Sequence, residues 1–488
     1  AYFVPQAGGQ TDLRLADAAG NVLLASDRDG FATLAWSPDG RLGAAIISTG
    51  SERALMLFNV ATKTALRTLT ASAGGRLEFR AAANWSRLLV RREAELWSVA
   101  LPAGTQRRLD AAEALAQWDV AGDGRWVLTG VEAEGHYVTA LFDLQEGGGQ
   151  EINSAPHPAT EFSDDGRWLA LVGQAAGETT TRLHVTDLGA LPAETATRVI
   201  GMGSAIAPAL RGSGDGLRYF TPDGSWLAYV VDSSGQRLRL RELAGQTRAE
   251  FPLQANERVG WLLVQPALRR GLLIAGRISD AGRNFRTHLL YPDQQISVPF
   301  LEGFSDAALL SQPQNPNVAI DARLADGQRY LALVDMVKGS GRIALRGRMR
   351  PLAVDPATER ALVAINLGTM EDIHLLDLRN GGAITYMGRS MGGDARPALG
   401  QFAPAGHGVW TQLWRSDGSA GLALSAGAAR LADVVAEKVT EPVFSPDGAT
   451  LAFVRADASG PTVYIIRADG GGLRAIGAGR SPSWRAAP

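Results

Sequence analysis

Short apolar runs, each opened by the same turn phrase, recur along the chain. The phrase is an aromatic residue, Ser or Thr, Pro or Asp, and then Asp-Gly. It reads Trp36-Ser37-Pro38-Asp39-Gly40, Phe162-Ser163-Asp164-Asp165-Gly166, Phe220-Thr221-Pro222-Asp223-Gly224 and Phe444-Ser445-Pro446-Asp447-Gly448. Pro pre-sets φ for the second turn position, Asp or Ser bonds the local backbone, and Gly tolerates the exit conformation. The flanks are β-branched or aromatic, as in Trp226-Leu227-Ala228-Tyr229-Val230-Val231, so each phrase predicts the turn of a β-hairpin. A third strand follows, such as residues 54–60, and then an outer fourth, such as residues 65–70.

Degenerate copies fill the gaps, at Asn84-Trp85-Ser86, Gly122-Asp123-Gly124, Ala267-Leu268-Arg269-Arg270, Gln314-Asn315-Pro316, Pro356-Ala357-Thr358-Glu359 and Pro404-Ala405-Gly406. Anchored on the Gly-equivalent position, the copies fall at 40, 86, 124, 166, 224, 270, 315, 359, 406 and 448. Propeller blades of four strands repeat at roughly 40–45 residues. The two ends are complementary: residues 1–26 align with 452–476, supplying three strands of a blade, and Ser481-Pro482-Ser483-Trp484 reads as the innermost strand. Such closure removes open sheet edges. The fold class is therefore all-β, a β-propeller of about eleven four-stranded blade units, with N- and C-terminal strands sharing one blade. Eleven exceeds the typical 4–8 blades of one ring, so one very large ring or two are the options, and two are expected. The longest interval, 58 residues, contains 201–216, read as a crossing or a loop over one face. It separates a first blade group, 1–200 with 480–488, from a second, 217–488.

These residues resemble the TolB-like, or PD40, β-propeller family, whose hallmark is the aromatic-Ser-Pro-Asp-Gly hairpin. The resemblance implies the fold and leaves the chemistry open. Family members include periplasmic adaptors and the propeller domains of prolyl-oligopeptidase-like enzymes. This chain departs from both, with about eleven units where the TolB propeller has six, and with no separate partner domain.

Composition narrows the classes. The 488 residues carry 48 Lys+Arg against 50 Asp+Glu, a formal charge of −2, which excludes a generally basic nucleic-acid coat. Cysteine is absent, so there is no disulfide scaffold, thiolate zinc site or cysteine nucleophile. Only Lys63, Lys338 and Lys438 are lysines; with abundant Ala and Gly, this composition points to a high-GC bacterial genome. No apolar run reaches the ~18 residues of a spanning helix. The chain opens as a strand at Ala1-Tyr2-Phe3-Val4 with no visible signal peptide, and an upstream leader or anchor is an expectation.

Chemical motifs are few. Gly388-Arg389-Ser390-Met391-Gly392 fits the GxSxG nucleophile elbow, with Asp394 and His407 downstream. An elbow needs a helix directly after the serine, and Asp394-Ala395-Arg396-Pro397-Ala398-Leu399-Gly400 is too broken for one, so an inter-blade loop is expected. His184, His288 and His374 share one third-strand place, held elsewhere by Met56 and Tyr464. Equivalent places on different blades diverge instead of converging on a metal, which makes them semi-buried spacers between blades. His136 and His157 lie near loops without a ligand pattern. Acids such as Asp39, Asp164 and Asp165 belong to turns, as no calcium-loop spacing is present. Arg342, Arg346, Arg348 and Arg350 share parity and would line one face of a continuous strand; with Arg277, Arg283 and Arg286 they either keep an edge soluble or meet an anionic partner. Asn84-Trp85-Ser86 satisfies a glycosylation sequon inside a blade turn.

The chain thus reads as a non-catalytic protein-binding or scaffold propeller of the bacterial cell envelope or extracellular space, periplasmic or outside, and a subunit of a larger complex. No catalytic residue, cofactor, metal, nucleic-acid partner or transmembrane span is expected. The alternative is a propeller-face lyase or hydrolase acting on polysaccharide or peptide. Partner contacts are expected in the long interval, at Met202, Ile206, Pro208 and Arg211, because its extra length must fold over or reach something.

Overall fold

The hydroxyl of the turn phrase sets the first hairpin of a blade. Ser37 Oγ donates to Asp39 Oδ1 at 2.6 Å and accepts the Leu42 N–H at 2.9 Å, while Asp39 Oδ1 accepts the Arg41 N–H at 3.0 Å. Thr221 and Ser445 repeat the set, donating to Asp223 and Asp447 at 2.6 Å and accepting the Trp226 and Thr450 N–H groups at 3.0 and 2.9 Å. Ser163 does the same with Asp165 and Trp168. In each of the four turns the glycine has φ between 63° and 73°, a region open to Gly at little cost. The degenerate copies keep the left-handed residue without Gly, at Trp85, Arg269 and Glu359. Two sequence anchors therefore move back one residue, from 86 to 85 and from 270 to 269.

The computed structural model describes residues 1–488 except 1, 7–9, 18–19, 28–32, 112–114, 134–135, 146–148, 155–158, 175–177, 191–196, 212–215, 233–234, 255, 280–281, 311–314, 367, 380–381, 392–397, 405–407, 427–428, 436–438, 459 and 485–488. Among the described residues the strands form eleven sheets, nine of four strands, one of six and one of three. Blades 1 to 10 occupy 33–72, 77–111, 115–154, 159–203, 205–252, 257–304, 306–347, 349–390, 399–435 and 439–478, and a closing blade holds Tyr2–Pro5, Thr11–Asp17 and Gly20–Asp27. Blade 1 is typical: Thr33–Trp36, Leu42–Ser48, Glu52–Asn59 and Thr64–Ser72 pair antiparallel in chain order. Its second strand is buried almost throughout, and its fourth turns mostly to solvent. Within each compact unit the core lies between the faces of successive blades.

The chain divides into two compact units, 1–73 with 307–335 and 340–488, and 74–306 with 336–339. In the second unit blades 2 to 6 pack each on the next through four apolar clusters, for example Trp168, Leu183 and Leu227 between blades 4 and 5. Its turns also stack. A β-carbon on Gly166 would lie 2.6 Å from the Asp123 carboxyl carbon, and one on Gly224 2.6 Å from Asp165. The segment 201–216 lies wholly within this unit.

In the first unit blades 7 to 10 pack in series, and the closing blade packs on blade 10 and on blade 1. The chain ends do share a blade, in a different register from that expected. The join is one antiparallel bridge between Phe3 and Arg480, with N–H···O distances of 2.9 and 2.6 Å. Residues 481–484 continue without a ladder, and Trp484 turns back to donate from Nε1 to Val443 O of blade 10 at 2.8 Å.

The three third-strand histidines sit where the third and fourth strands slip register, between Leu183 and His184, Thr287 and His288, and Ile373 and His374. Met56 and Tyr464 mark the same irregularity. A bulge there bends the outer strand. Two of the rings pack on their own blade's fourth strand: His288 Nδ1 meets Ser297 Oγ at 2.8 Å, and the His374 ring lies 5.3 Å from Tyr386. Burial holds the His184 and His288 pKa values below the ordinary imidazole value, with Arg182 and Arg286 adding to the effect.

Two outcomes follow from these joins. Deleting residues 480–488 removes the bridge and the Trp484 contact, and should cost roughly 2–4 kcal/mol, read as a lower urea midpoint. Both histidines bind protons more weakly folded than unfolded, so stability holds above an unfolded pKa near 6.5 and falls as pH drops from there through their folded values. The H184N/H288N double variant should lose less thermal stability than wild type between pH 7 and pH 5; an unchanged loss would sink the linkage.

Candidate functional site

The long interval is an insertion inside one strand. Blade 5 begins with Ala205–Pro208 paired to Tyr229–Asp232. Pro208 has no N–H to give a ladder, and the chain leaves the sheet after it. The strand resumes at Tyr219, whose carbonyl accepts the Ala228 N–H at 2.8 Å, and Phe220 bridges Leu227. Between them Leu210–Arg211 and Leu217–Arg218 pair antiparallel as a small hairpin. Leu210 pairs parallel with Leu262 of blade 6, and Ala209 O accepts the Leu262 N–H at 2.9 Å. Ala209 and Leu210 are buried in the cluster joining blades 5 and 6. The insertion thereby gives blade 6 its two extra strands.

Its other side is held by charge. Arg218 donates to both Asp164 oxygens at 2.9 and 2.7 Å and to Glu161 at 3.2 Å. Glu161 also accepts the N–H groups of Tyr219 at 2.8 Å and Phe220 at 3.3 Å. Its side chain is 17% exposed, and burial pushes its pKa up against the pull of these amides and of Arg218. Hydrogen bonding to Asp164 holds the Arg218 guanidinium above its ordinary value. Burial, helped by Glu161, pushes the Tyr219 phenol up as well. The insertion is therefore clamped to the first strand and turn of blade 4 and to the first strand of blade 6.

Three of the four expected contact residues lie on this run. Ile206 is half-buried against the cluster of blades 4 and 5, Pro208 ends the ladder, and the Arg211 guanidinium lies 5.4 Å over the Trp261 ring. Met202 stands apart on the fourth strand of blade 4, Thr197–Gly203, 52% exposed. Sequence reasoning missed Glu161 and Arg218, and gave Asp164 to its turn alone. One signal for them existed: Asp164 stands where the other three full phrases have Pro38, Pro222 and Pro446.

The remaining motifs resolve structurally. Ser390 is the last residue of Gly382–Ser390, fully buried, and its Oγ accepts the Trp414 N–H at 3.1 Å. It ends an outer strand instead of standing in an exposed loop. Asp394, His157 and His407 lie outside the described residues, and of His136 only the strand it opens is described. Among the described residues no group of three or more His, Asp and Glu is placed to hold a metal, and no helix is long and apolar enough to cross a membrane. The arginine set splits. Arg342 and Arg346 lie on the outer strand Ser340–Gly347, Arg348 falls between strands, and Arg350 lies on the first strand of blade 8, paired with buried Glu371 at 2.9 Å. Arg286 pairs with Glu257 at 2.8 Å, and Arg277 donates to Gln254 at 3.3 Å.

No family model and no curated protein matches the chain. Solved structures align with it at low identity. A Porphyromonas gingivalis dipeptidyl peptidase 4 aligns over 83% of this chain at 10% identity and TM-score 0.36, and the chain spans 60% of that protein's length. TolB from Acinetobacter baumannii aligns over 62% of this chain and 78% of its own, at 13% identity and TM-score 0.26. A eukaryotic initiation factor aligns over 77% of this chain and 94% of its own, at 9% identity and TM-score 0.44. The chain is a β-propeller loosely similar to several proteins of known structure, and the likeness concerns the fold alone.

Proposed function

We propose that this chain is a non-catalytic, protein-binding propeller of the TolB-like type, a scaffold subunit of a larger complex in the bacterial envelope or outside the cell. The observation that carries the reading is the clamped insertion at 209–218. Its described residues, 209–211 and 216–218, are held on both sides and need little further ordering when a partner docks. Leu217 on the insertion and Met202 beside its blade are both exposed apolar side chains, suited to protein contact. Propeller strands form a rigid frame on which such segments carry recognition. The absence of cysteine suits an oxidising compartment.

Two measurements test this. A photo-crosslinking residue at Met202 should capture one discrete protein in the native host. The same residue at Leu66, exposed on the fourth strand of blade 1, should not. Capture at Leu66 and none at Met202 would move the contact surface elsewhere. The rival reading, a propeller-face lyase or hydrolase, makes the opposite forecast at Ser390 only if it is a serine hydrolase. A fluorophosphonate probe should leave the folded protein unlabelled, and Ser390→Ala should keep partner capture at a cost of about 1 kcal/mol for one buried hydrogen bond. Stoichiometric labelling at Ser390 would promote the enzyme.

A further inference from the structure

A cavity of about 200 Å³ opens where the closing blade meets blade 10. Its apolar wall includes Val463, Ile465, Ile476 and the indole of Trp484. The indole is fixed, since Nε1 donates to Val443 O at 2.8 Å, so the ring stands as a wall and does not fold into the space. An apolar cavity of about 150 Å³ holds benzene, so this one has room for a six-membered ring with a short arm.

Two polar groups mark its ends. Tyr2 is only 3% exposed, yet its hydroxyl has no hydrogen-bond partner among the described residues, and the side chain lines the cavity. The hydroxyl is not sealed from solvent, so a ligand group there takes the place of water. The hydroxyl lies against Gly477, where a β-carbon would approach it to 2.9 Å. Arg474 lines the cavity three residues back along the same strand, Arg474–Ala478. Arg455 and Arg467 of the same blade are paired with Asp457 and Asp469 at 2.7 and 3.1 Å. Arg474 has no carboxylate partner among the described residues. Three residues of strand span about 10 Å, close to the length of a para-substituted aryl acetate.

We propose that this cavity binds a small aromatic carboxylate carrying a hydrogen-bonding group at its far end. The ring lies along the Trp484, Val463 and Ile476 wall. The carboxylate takes the guanidinium of Arg474, whose planar fork matches two oxygens. The far group pairs with the Tyr2 hydroxyl.

The test titrates 4-hydroxyphenylacetate into the full chain by calorimetry and saturation-transfer NMR. Its amide, which lacks the charge, and phenylacetate, which lacks the hydroxyl, serve as comparisons. Saturable binding of the acid, with the amide at least about tenfold weaker, is expected. Arg474→Gln should abolish the preference for acid over amide. Arg474 is exposed and without a carboxylate partner, so its thermal midpoint should stay near wild type. Tyr2→Phe should abolish the preference over phenylacetate. No saturable binding up to about 5 mM, an R474Q protein that still prefers the acid, or a Y2F protein that still prefers the hydroxyl would each overturn the proposal.

Discussion

One hydrogen-bond set organises the first hairpin of blades 1, 4, 5 and 10: a Ser or Thr hydroxyl shared between an Asp two residues on and an amide five residues on. Alone, such a bond contributes only about 1 kcal/mol. Its larger effect is on register. By accepting the Leu42 N–H, Ser37 fixes where the second strand starts, and in a strand of period two a slip of one residue would send every buried side chain to the wrong face. Leu42–Ser48 has five buried residues in succession, so a misplaced start would be costly on both faces. The aromatic residue before the Ser and the glycine after the Asp serve the same end. One packs at Phe162, Phe220 and Phe444 into the cluster shared with the preceding blade, and the other lets the chain leave in the left-handed region.

Within the second unit these turns also touch one another. The Asp of one turn lies against the Gly of the next, close enough to leave no room for a β-carbon at Gly166 or Gly224. That crowding explains why a departure in the phrase has consequences beyond its own hairpin. With Asp164 in place of Pro, blade 4 presents an extra carboxylate at the turn, and Arg218 reaches it together with Glu161. Removing Arg218 would leave Glu161 buried with its amides alone, an unfavourable place for a charge. Arg218 thus ties the insertion to blade 4 through two carboxylates at once.

The repeat was legible because five adjacent residues carry all of its chemistry. Blade number, strand order and the shared closing blade follow from the spacing of that phrase. The Gly-equivalent anchors slipped where Trp85 and Arg269 take positive φ without being Gly, since only tertiary packing selects those residues. Strand parity misled for Arg342 to Arg350 because the chain passes from one blade to the next at Arg348, and parity is meaningless across a break. The clamp was illegible as a pair, its members lying 54 and 57 residues apart. Only the missing proline at Asp164 marked it.

The closing blade shows what the repeat costs at its ends. Blade 1 joins its first strand to its second through four residue pairs, from Thr33 with Ile46 to Trp36 with Gly43. The closing blade has a single pair, Phe3 with Arg480. Cohesion there must come from side chains. Tyr2 packs with Val454 and Val463, Asn21 donates to Ile476 O at 3.2 Å, and Trp484 anchors on Val443. Side chains fill a face less completely than a strand does, because they reach across it from both sides without a ladder between them. Where other blades place a first strand, this one turns toward blade 10 after a single bridge, and Pro482 and Trp484 close one side of the cavity that Tyr2 and Arg474 also line. The position of that cavity is thus a consequence of sharing one blade between the two ends of the chain.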